Sequence, residues 1–263
     1  MAELTHIPTW AECQAQGRLP EVLFWVGCAG SFDDRAKKIT KAFAKLLQSS
    51  QVSFAVLGAE ESCTGDPAKR AGNEFLFQMQ ALMNIEVLNG YGVGKIVTTC
   101  PHCFNTLKNE YPDLGGRYEV MHHTQFLKDL MTSGRLKVEG GHFRGKKITY
   151  HDPCYLGRAN GEYEAPRVLL SALEMELTEM KRCKSKGLCC GAGGAQMFKE
   201  PEKGHKDINI ERTEEALSTG SAMIATGCPF CNTMMTDGVK NDPQERSTPV
   251  MDIAELIAQA ADL

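Results

Sequence analysis

Several features are missing from this chain of 263 residues, and each absence removes a class of function. No apolar run approaches the ~18 residues that a membrane-crossing helix needs. The longest are short pieces such as Val22–Val26, so no membrane span of its own is expected. No charge of one sign dominates: 29 Lys and Arg stand against 33 Asp and Glu, a net charge of −4. Nucleic-acid-binding domains usually carry a basic excess, so no nucleic-acid partner is expected. The first residues, MAELTHIPTW, hold no basic stretch followed by an apolar one. No export signal is therefore expected, and the expected location is the cytoplasm. The ferredoxin run Cys-x2-Cys-x2-Cys-x3-Cys-Pro is missing. A dinucleotide fingerprint is missing too: Gly90-x-Gly92-x-Gly94 precedes a predicted strand instead of following one, and reads as a turn.

Cysteine, by contrast, is abundant. There are eleven, at 13, 28, 63, 100, 103, 154, 183, 189, 190, 228 and 231. In a reducing compartment a disulfide scaffold is not expected, and an odd count excludes complete internal pairing. Cysteines at this density read as metal ligands or redox groups.

Their positions reveal a duplication. Cys28 and Cys154 lie 126 residues apart, as do Cys63 and Cys189. Cys100 and Cys228 lie 128 apart, as do Cys103 and Cys231. TCPHCFNT in the first half faces GCPFCNTM in the second, and VMHHTQFLKDL faces VMDIAELIAQA. The unit is too long for a solenoid repeat, so it predicts two homologous lobes. We expect a lead segment at 1–21, a first lobe at 22–140 and a second at 141–263. Ser133–Lys147, with four Gly and no clear period, is the expected linker.

Short apolar runs alternate with amphipathic stretches. The pattern predicts strands over 22–26, 52–57, 95–99 and 118–121, then 147–150, 176–180, 222–226 and 248–251. Helices are predicted over 35–48, 72–88, 124–131, 166–173, 207–218 and 253–261, and more could begin at each Cys-x2-Cys. This is an α/β pattern: two lobes, each a small, mostly parallel sheet flanked by helices. The repeated cysteines then fall just past the carboxyl ends of strands, where open α/β sheets bind ligands.

Each lobe thus converges several thiols: Cys28, Cys63, Cys100 and Cys103 in the first, and Cys154, Cys189, Cys190, Cys228 and Cys231 in the second. Soft thiolates select zinc or iron–sulfur clusters. Four thiolates satisfy tetrahedral zinc. Five exceed it and suit a multi-iron cluster, so iron is preferred for the second lobe and the first stays open between the two. Gly191, Gly193 and Gly194 leave backbone N–H groups free to approach sulfur. A lone Cys-x2-Cys can also be a thioredoxin-type pair, but here each has matched distant partners.

The pattern Cys-x34-Cys-Cys-x37-Cys-x2-Cys from Cys154 to Cys231 resembles the CCG, or cysteine-rich, domain. That domain occurs in heterodisulfide reductase B and D subunits, in the C subunit of anaerobic glycerol-3-phosphate dehydrogenase, and in related iron–sulfur oxidoreductases. The resemblance covers roughly 22–263. The segments SCTGDPAKRAGNEFLFQ and CPHCFNTLKNEYP are most similar to the cysteine-rich part of membrane-linked oxidoreductases that pass electrons from electron-transfer flavoprotein to menaquinone. The resemblance implies a [4Fe–4S] cluster in each complete motif, in a non-cubane form where five Cys hold it. In the first lobe Thr64 stands where the second Cys of the pair would be, leaving four ligands for a cubane cluster or zinc. The implied role is an electron-transfer subunit between a flavoprotein dehydrogenase and the quinone pool. The alternatives are a disulfide reductase with substrate sulfur at the second cluster, and a zinc-stabilised interaction module. The implied partners are a ferredoxin-type or membrane quinone-reducing subunit, which could hold the chain at the inner face of the membrane, and a flavoprotein.

Other residues are open between roles. His102 could be a ligand, a donor to sulfur or a solvated loop residue. His122, His123 and His151 follow strands on the functional edge. Arg70 and Arg158 could offset cluster charge or be surface charge. Cys13 and Cys183 lack repeat partners, and the Lys and Arg around Cys183 suggest a lowered thiol pKa. The methionines at 175, 180, 197, 234 and 235 read as core or flexible contacts.

Overall fold

The computed structural model describes residues 4–138, 141–200, 203–244 and 247–263. The chain begins with α1 (Trp10–Ala15), which the sequence reading did not anticipate. Its signal is local: Thr9 accepts from the Glu12 N–H, and the Glu12 carboxylate accepts from the Thr9 N–H. This capping box satisfies two backbone donors at once. Trp10 and Cys13 are buried in the outer core of the first lobe, and Thr9 forms a parallel bridge with Val56.

The first lobe continues through β1 (Val22–Trp25), α2 (Gly27–Phe32), α3 (Ala36–Ser49), β2 (Phe54–Ala55), α4 (Asp66–Arg70), α5 (Glu74–Gly90), β3 (Lys95–Thr98), α6 (Pro101–Asn105), β4 (Glu119–His122) and α7 (His123–Thr132). The second runs β5 (Lys147–Tyr150), α8 (Glu164–Ala172), β6 (Glu176–Leu177), α9 (Ile208–Ser218), β7 (Met223–Thr226), α10 (Pro229–Lys240), β8 (Val250–Asp252) and α11 (Ile253–Ala260). Each lobe holds one four-stranded sheet, all parallel, in the orders β2-β1-β3-β4 and β6-β5-β7-β8. The duplication appears in the register. Trp25 pairs with Thr98 and Thr98 with His122; Thr226 pairs with Asp252, and the His151 N–H donates to Ala225.

Periodicity placed most elements because burial follows it. All four residues of β1 are buried, as expected of a strand covered on both faces. Ile39, Phe43, Leu46 and Leu47 bury one face of α3 while its lysines stay outside. The second predicted strand, 52–57, shrinks to Phe54–Ala55, because Val56 bonds instead to the lead segment.

The lobes share a core. One cluster joins Val22, Phe24, Phe43 and Leu127 of the first to Ile148, Leu169, Ile253 and Leu256 of the second. Helix α3 packs on α11 and α7 on α8, so a layer of helices lies between the two sheets. Arg35 crosses the junction with a two-pronged pair to Glu255, both contacts at 2.7 Å, and donates to the Val250 carbonyl. Across the same junction His123 Nε2 meets Asp252 Oδ1 at 2.9 Å, both side chains wholly buried. The expected linker packs as well as connects. Leu136 and Phe143 join the shared core, and Arg135 pairs with Glu21. The boundary expected at 140/141 falls on Gly140, outside the described residues.

Candidate metal centre

Strand ends set the site. In the first lobe β1 delivers the chain to Cys28. The sequence Gly27-Cys28-Ala29-Gly30 is a poor helix former, and the sequence reading treats it as a loop. It is helical because Glu61 supplies a cap: its carboxylate accepts from the Val26 N–H at 3.0 Å and the Gly27 N–H at 2.6 Å. Cys63 lies in the loop before α4. Cys100 is the N-cap of α6 and Cys103 lies within it. In the second lobe Cys154 follows β5 in a turn, Cys189 and Cys190 share a loop, Cys228 caps α10 and Cys231 sits in its first turn.

The same glycine turn serves both middle loops. Gly65 and Gly191 adopt φ of +87° and +91°, a left-handed backbone that L side chains rarely take. Each presents its N–H to the preceding thiol: Gly65 to Cys63 Sγ at 3.5 Å and Gly191 to Cys189 Sγ at 3.3 Å. Backbone N–H groups of Ala29, Cys103 and Ala192 reach Cys28, Cys100 and Cys190.

Electrostatic coupling links the repeated thiols within each lobe. In the first, Cys28 is coupled to Cys63 and Cys100 to Cys103. In the second, coupling runs from Cys154 to Cys189, Cys190, Cys231 and Cys228. The two groups face each other, because Cys100 and Cys228 are electrostatically coupled. These two occupy equivalent places in the duplication, and equivalent residues come close only near the axis relating the lobes.

This packing works against ionising every thiol. Contact with Cys28 brings Cys63 down to about 7, while the same contact and burial raise Cys28. Contacts with Cys154 and Cys190 lower Cys189, and Cys190 is pushed up to about 12, chiefly by Cys189. Cys103 and Cys231 rise through their thiol neighbours and burial, and Cys228 through burial and Cys100. So many thiolates can coexist only around a cation. The donor set therefore fits a soft, cationic metal group.

Thr64, in place of a tenth repeated cysteine, donates its hydroxyl to Cys103 Sγ at 3.8 Å. Cys190 Sγ lies within 4.8 Å of Cys231 Sγ at the equivalent place. Among the described residues, one set of three donors lies within 4.8 Å of one another: His151, Cys190 and Cys231.

His102 is buried, which overturns the solvated-loop alternative. Its Nδ1 lies 2.9 Å from Asp66 Oδ2, and its ring packs against Tyr155 and against Phe230, its counterpart in the repeat. Burial opposes its charge, but Asp66 and Cys100 outweigh it and raise the pKa. His122 and His123 are wholly buried, with His123 Nδ1 3.2 Å from His122 Nε2. His151 is wholly buried and held neutral, at about 3, by burial and the Arg212 charge. Arg158 holds the loop before Cys189 by donating to the Gly187 carbonyl at 2.8 Å. Arg70 pairs with Asp66 and Glu110 and lies over Tyr155. Cys13 is buried in α1. The lowered pKa expected of Cys183 is incorrect. Burial, then Glu179 and Asp152, raise it, and the neighbouring Arg182 is occupied by Glu211 and Glu215. Met175, Met180 and Met235 are core, while Met197 and Met234 flank the paired cysteines.

Sequence reasoning missed Glu61, Asp66 and Arg212. Each acts across 34 to 61 residues of chain, and no local motif marks it.

Comparison with known proteins agrees with the geometry. The cysteine-rich domain, CCG, matches residues 22–108 and 148–236. The chain is 47% identical over 256 residues to the "Probable iron-sulfur-binding oxidoreductase FadF" of Bacillus subtilis, covering 97% of this chain and 36% of that protein. It is 47% identical over 252 residues to an EtfAB:quinone oxidoreductase of Syntrophomonas wolfei, covering 94% and 35%. It is 34% identical over 250 residues to the D subunit of the dihydromethanophenazine:CoB–CoM heterodisulfide reductase of Methanosarcina barkeri, covering 92% and 59%. The chain thus spans about a third to three fifths of the length of these relatives. Two matched repeats, two parallel sheets and two converging sets of thiols agree: this chain belongs to the CCG cysteine-rich domain family.

Proposed function

We propose that this chain is an iron–sulfur electron-transfer module, relaying electrons between a flavoprotein dehydrogenase and the quinone pool. The observation that carries the reading is the convergence of two sets of thiols at strand ends, with Cys100 of one set electrostatically coupled to Cys228 of the other. Bound iron–sulfur clusters would supply one-electron chemistry. The chain's own residues hold them, exclude water and set their electrostatics. Cys154, Cys189, Cys190, Cys228 and Cys231 would hold a [4Fe–4S] cluster of five-thiolate, non-cubane type. Cys28, Cys63, Cys100 and Cys103 would hold a second [4Fe–4S] cluster.

Geometry supports iron over zinc in the first lobe. Tetrahedral zinc with Zn–S near 2.3 Å brings its sulfurs to about 3.8 Å of one another. No three of the four first-lobe sulfurs lie within 4.8 Å of one another. A wider set suits a cluster, whose ligands attach to separate irons.

The relatives' greater length supports a larger assembly, in which a ferredoxin-type or membrane quinone-reducing part and electron-transfer flavoprotein are the partners. No helix of the described residues is long and apolar enough to cross a membrane. Association with the inner face of the membrane would then run through a partner. Helix α5 adds support: Phe75, Met79, Leu82 and Met83 are 75%, 46%, 51% and 59% exposed although its other face is core. Large apolar side chains gathered on an exposed helix surface ordinarily mark a contact site.

Anaerobic purification with iron, sulfide and zinc analysis tests the reading. About eight irons and eight sulfides per chain are expected for two [4Fe–4S] clusters; zinc without iron would sink it. Similarity to the heterodisulfide reductase D subunit favours a second reading, disulfide reduction with a substrate sulfur at the second-lobe cluster. A thiol-dependent change in that cluster's paramagnetic spectrum would select it.

A further inference from the structure

His151 has the position of a metal ligand, close to Cys190 and Cys231, but its bonding excludes that role. Its Nδ1 lies 3.0 Å from Arg212 Nε, and a guanidinium has only donors. Arg212 is itself fixed: it is wholly buried, and its Nη1 donates to the Arg182 carbonyl at 2.7 Å and to Glu215 at 3.1 Å. Nδ1 must therefore accept with its lone pair. In a neutral imidazole the proton then sits on Nε2, which leaves no lone pair there for a metal.

That Nε2–H is buried and has no partner among the described residues. An orphaned buried donor costs roughly 1–3 kcal/mol unless something accepts from it. The repeat supplies an independent observation. Trp25 stands 126 residues before His151 and, like it, three residues before the first cysteine of its lobe. It is also wholly buried, and its Nε1–H also lacks a partner. An indole nitrogen can only donate. Two chemically different residues thus place an unpartnered N–H at the same step of each lobe.

We propose that His151 is a hydrogen-bond donor to the second-lobe cluster and not one of its ligands, with Arg212 as the positioning residue that fixes its Nε2–H tautomer. The inference rests on the iron–sulfur reading. A donor to cluster or thiolate sulfur favours the more electron-rich, reduced state and so raises the reduction potential. Trp25 holds the corresponding place in the first lobe.

The test uses the whole chain, purified anaerobically with its clusters. Iron and sulfide are counted, each cluster is titrated for its midpoint potential, and the reduced protein is studied by pulsed paramagnetic resonance in H2O and D2O. His151→Leu is expected to keep wild-type iron and shift one cluster to a more negative potential. His151→Gln, which can still donate, is expected to restore part of that shift. Wild-type protein labelled with 15N-histidine is expected to show weak nitrogen coupling and an exchangeable proton that the leucine variant lacks. Strong coupling from a directly bound nitrogen, or loss of one cluster's iron in both variants, would make His151 a ligand and overturn the proposal. Unchanged potentials with full iron would overturn it too. If His151→Leu does not fold, the couplings of the wild-type chain decide. A wild-type chain without iron would overturn the iron–sulfur reading itself, and the proposal with it.

Discussion

Replacing Asp252 with alanine should separate two contributions to the junction between the lobes. Asp252 Oδ1 lies 2.9 Å from His123 Nε2, with neither side chain exposed, and it also accepts from the Ala254 N–H at 2.9 Å as the N-cap of α11. Losing the cap should cost about 1 kcal/mol. Leaving the buried His123 nitrogen without its partner should cost a further ~1–3 kcal/mol. The sum, roughly 2–4 kcal/mol, should lower the melting midpoint of a chain this size by about 5–15 °C. Circular dichroism at matched cluster loading measures it. Asp252→Asn keeps a capping oxygen, so its deficit should be the smaller by about the value of the cap. A double-mutant cycle with His123→Ala isolates the pair. The reasoning fails if Asp252→Ala stays within ~0.5 kcal/mol of wild type, the range of ordinary surface changes, or if the cycle shows no coupling.

Other perturbations probe the site and its surroundings. Gly65→Ala forces a side chain into φ +87° with its Cβ 2.8 Å from the Phe77 ring. It should destabilise by about 1–3 kcal/mol and lower first-lobe iron while sparing the second, read by metal analysis and paramagnetic spectra. Thr64→Val removes the donor to Cys103 and should lower the first-lobe potential at full iron content; an unchanged potential would show that the hydroxyl does not tune it. Thr64→Cys completes a five-thiol set, and the first-lobe spectrum should shift toward that of the second. Met79→Glu with Leu82→Glu should leave melting and iron content unchanged, since both side chains are about half exposed. The pair should instead weaken association with the rest of the assembly, measured by co-purification.

The division between sequence and structure follows from distance along the chain. Alternating short apolar runs and amphipathic stretches determined the α/β class, because each period reports which face a residue must bury. Four repeated cysteines at near-constant offsets determined the two lobes, and Thr64 the difference between them. The helix carrying Cys28 was illegible, since the Glu61 carboxylate that caps it lies more than thirty residues away. So was the burial of His102, which depends on Asp66, Tyr155 and Phe230 from three separate segments. Only the tertiary structure brought Cys100 near enough to Cys228 for their thiols to be coupled across the lobes. Only it turned the lone pair of His151 toward Arg212 and left the proton on Nε2. The sequence records which residues repeat. Which of them touch across the axis between the lobes depends on how the two sheets pack around shared helices, and that is a property of the folded chain.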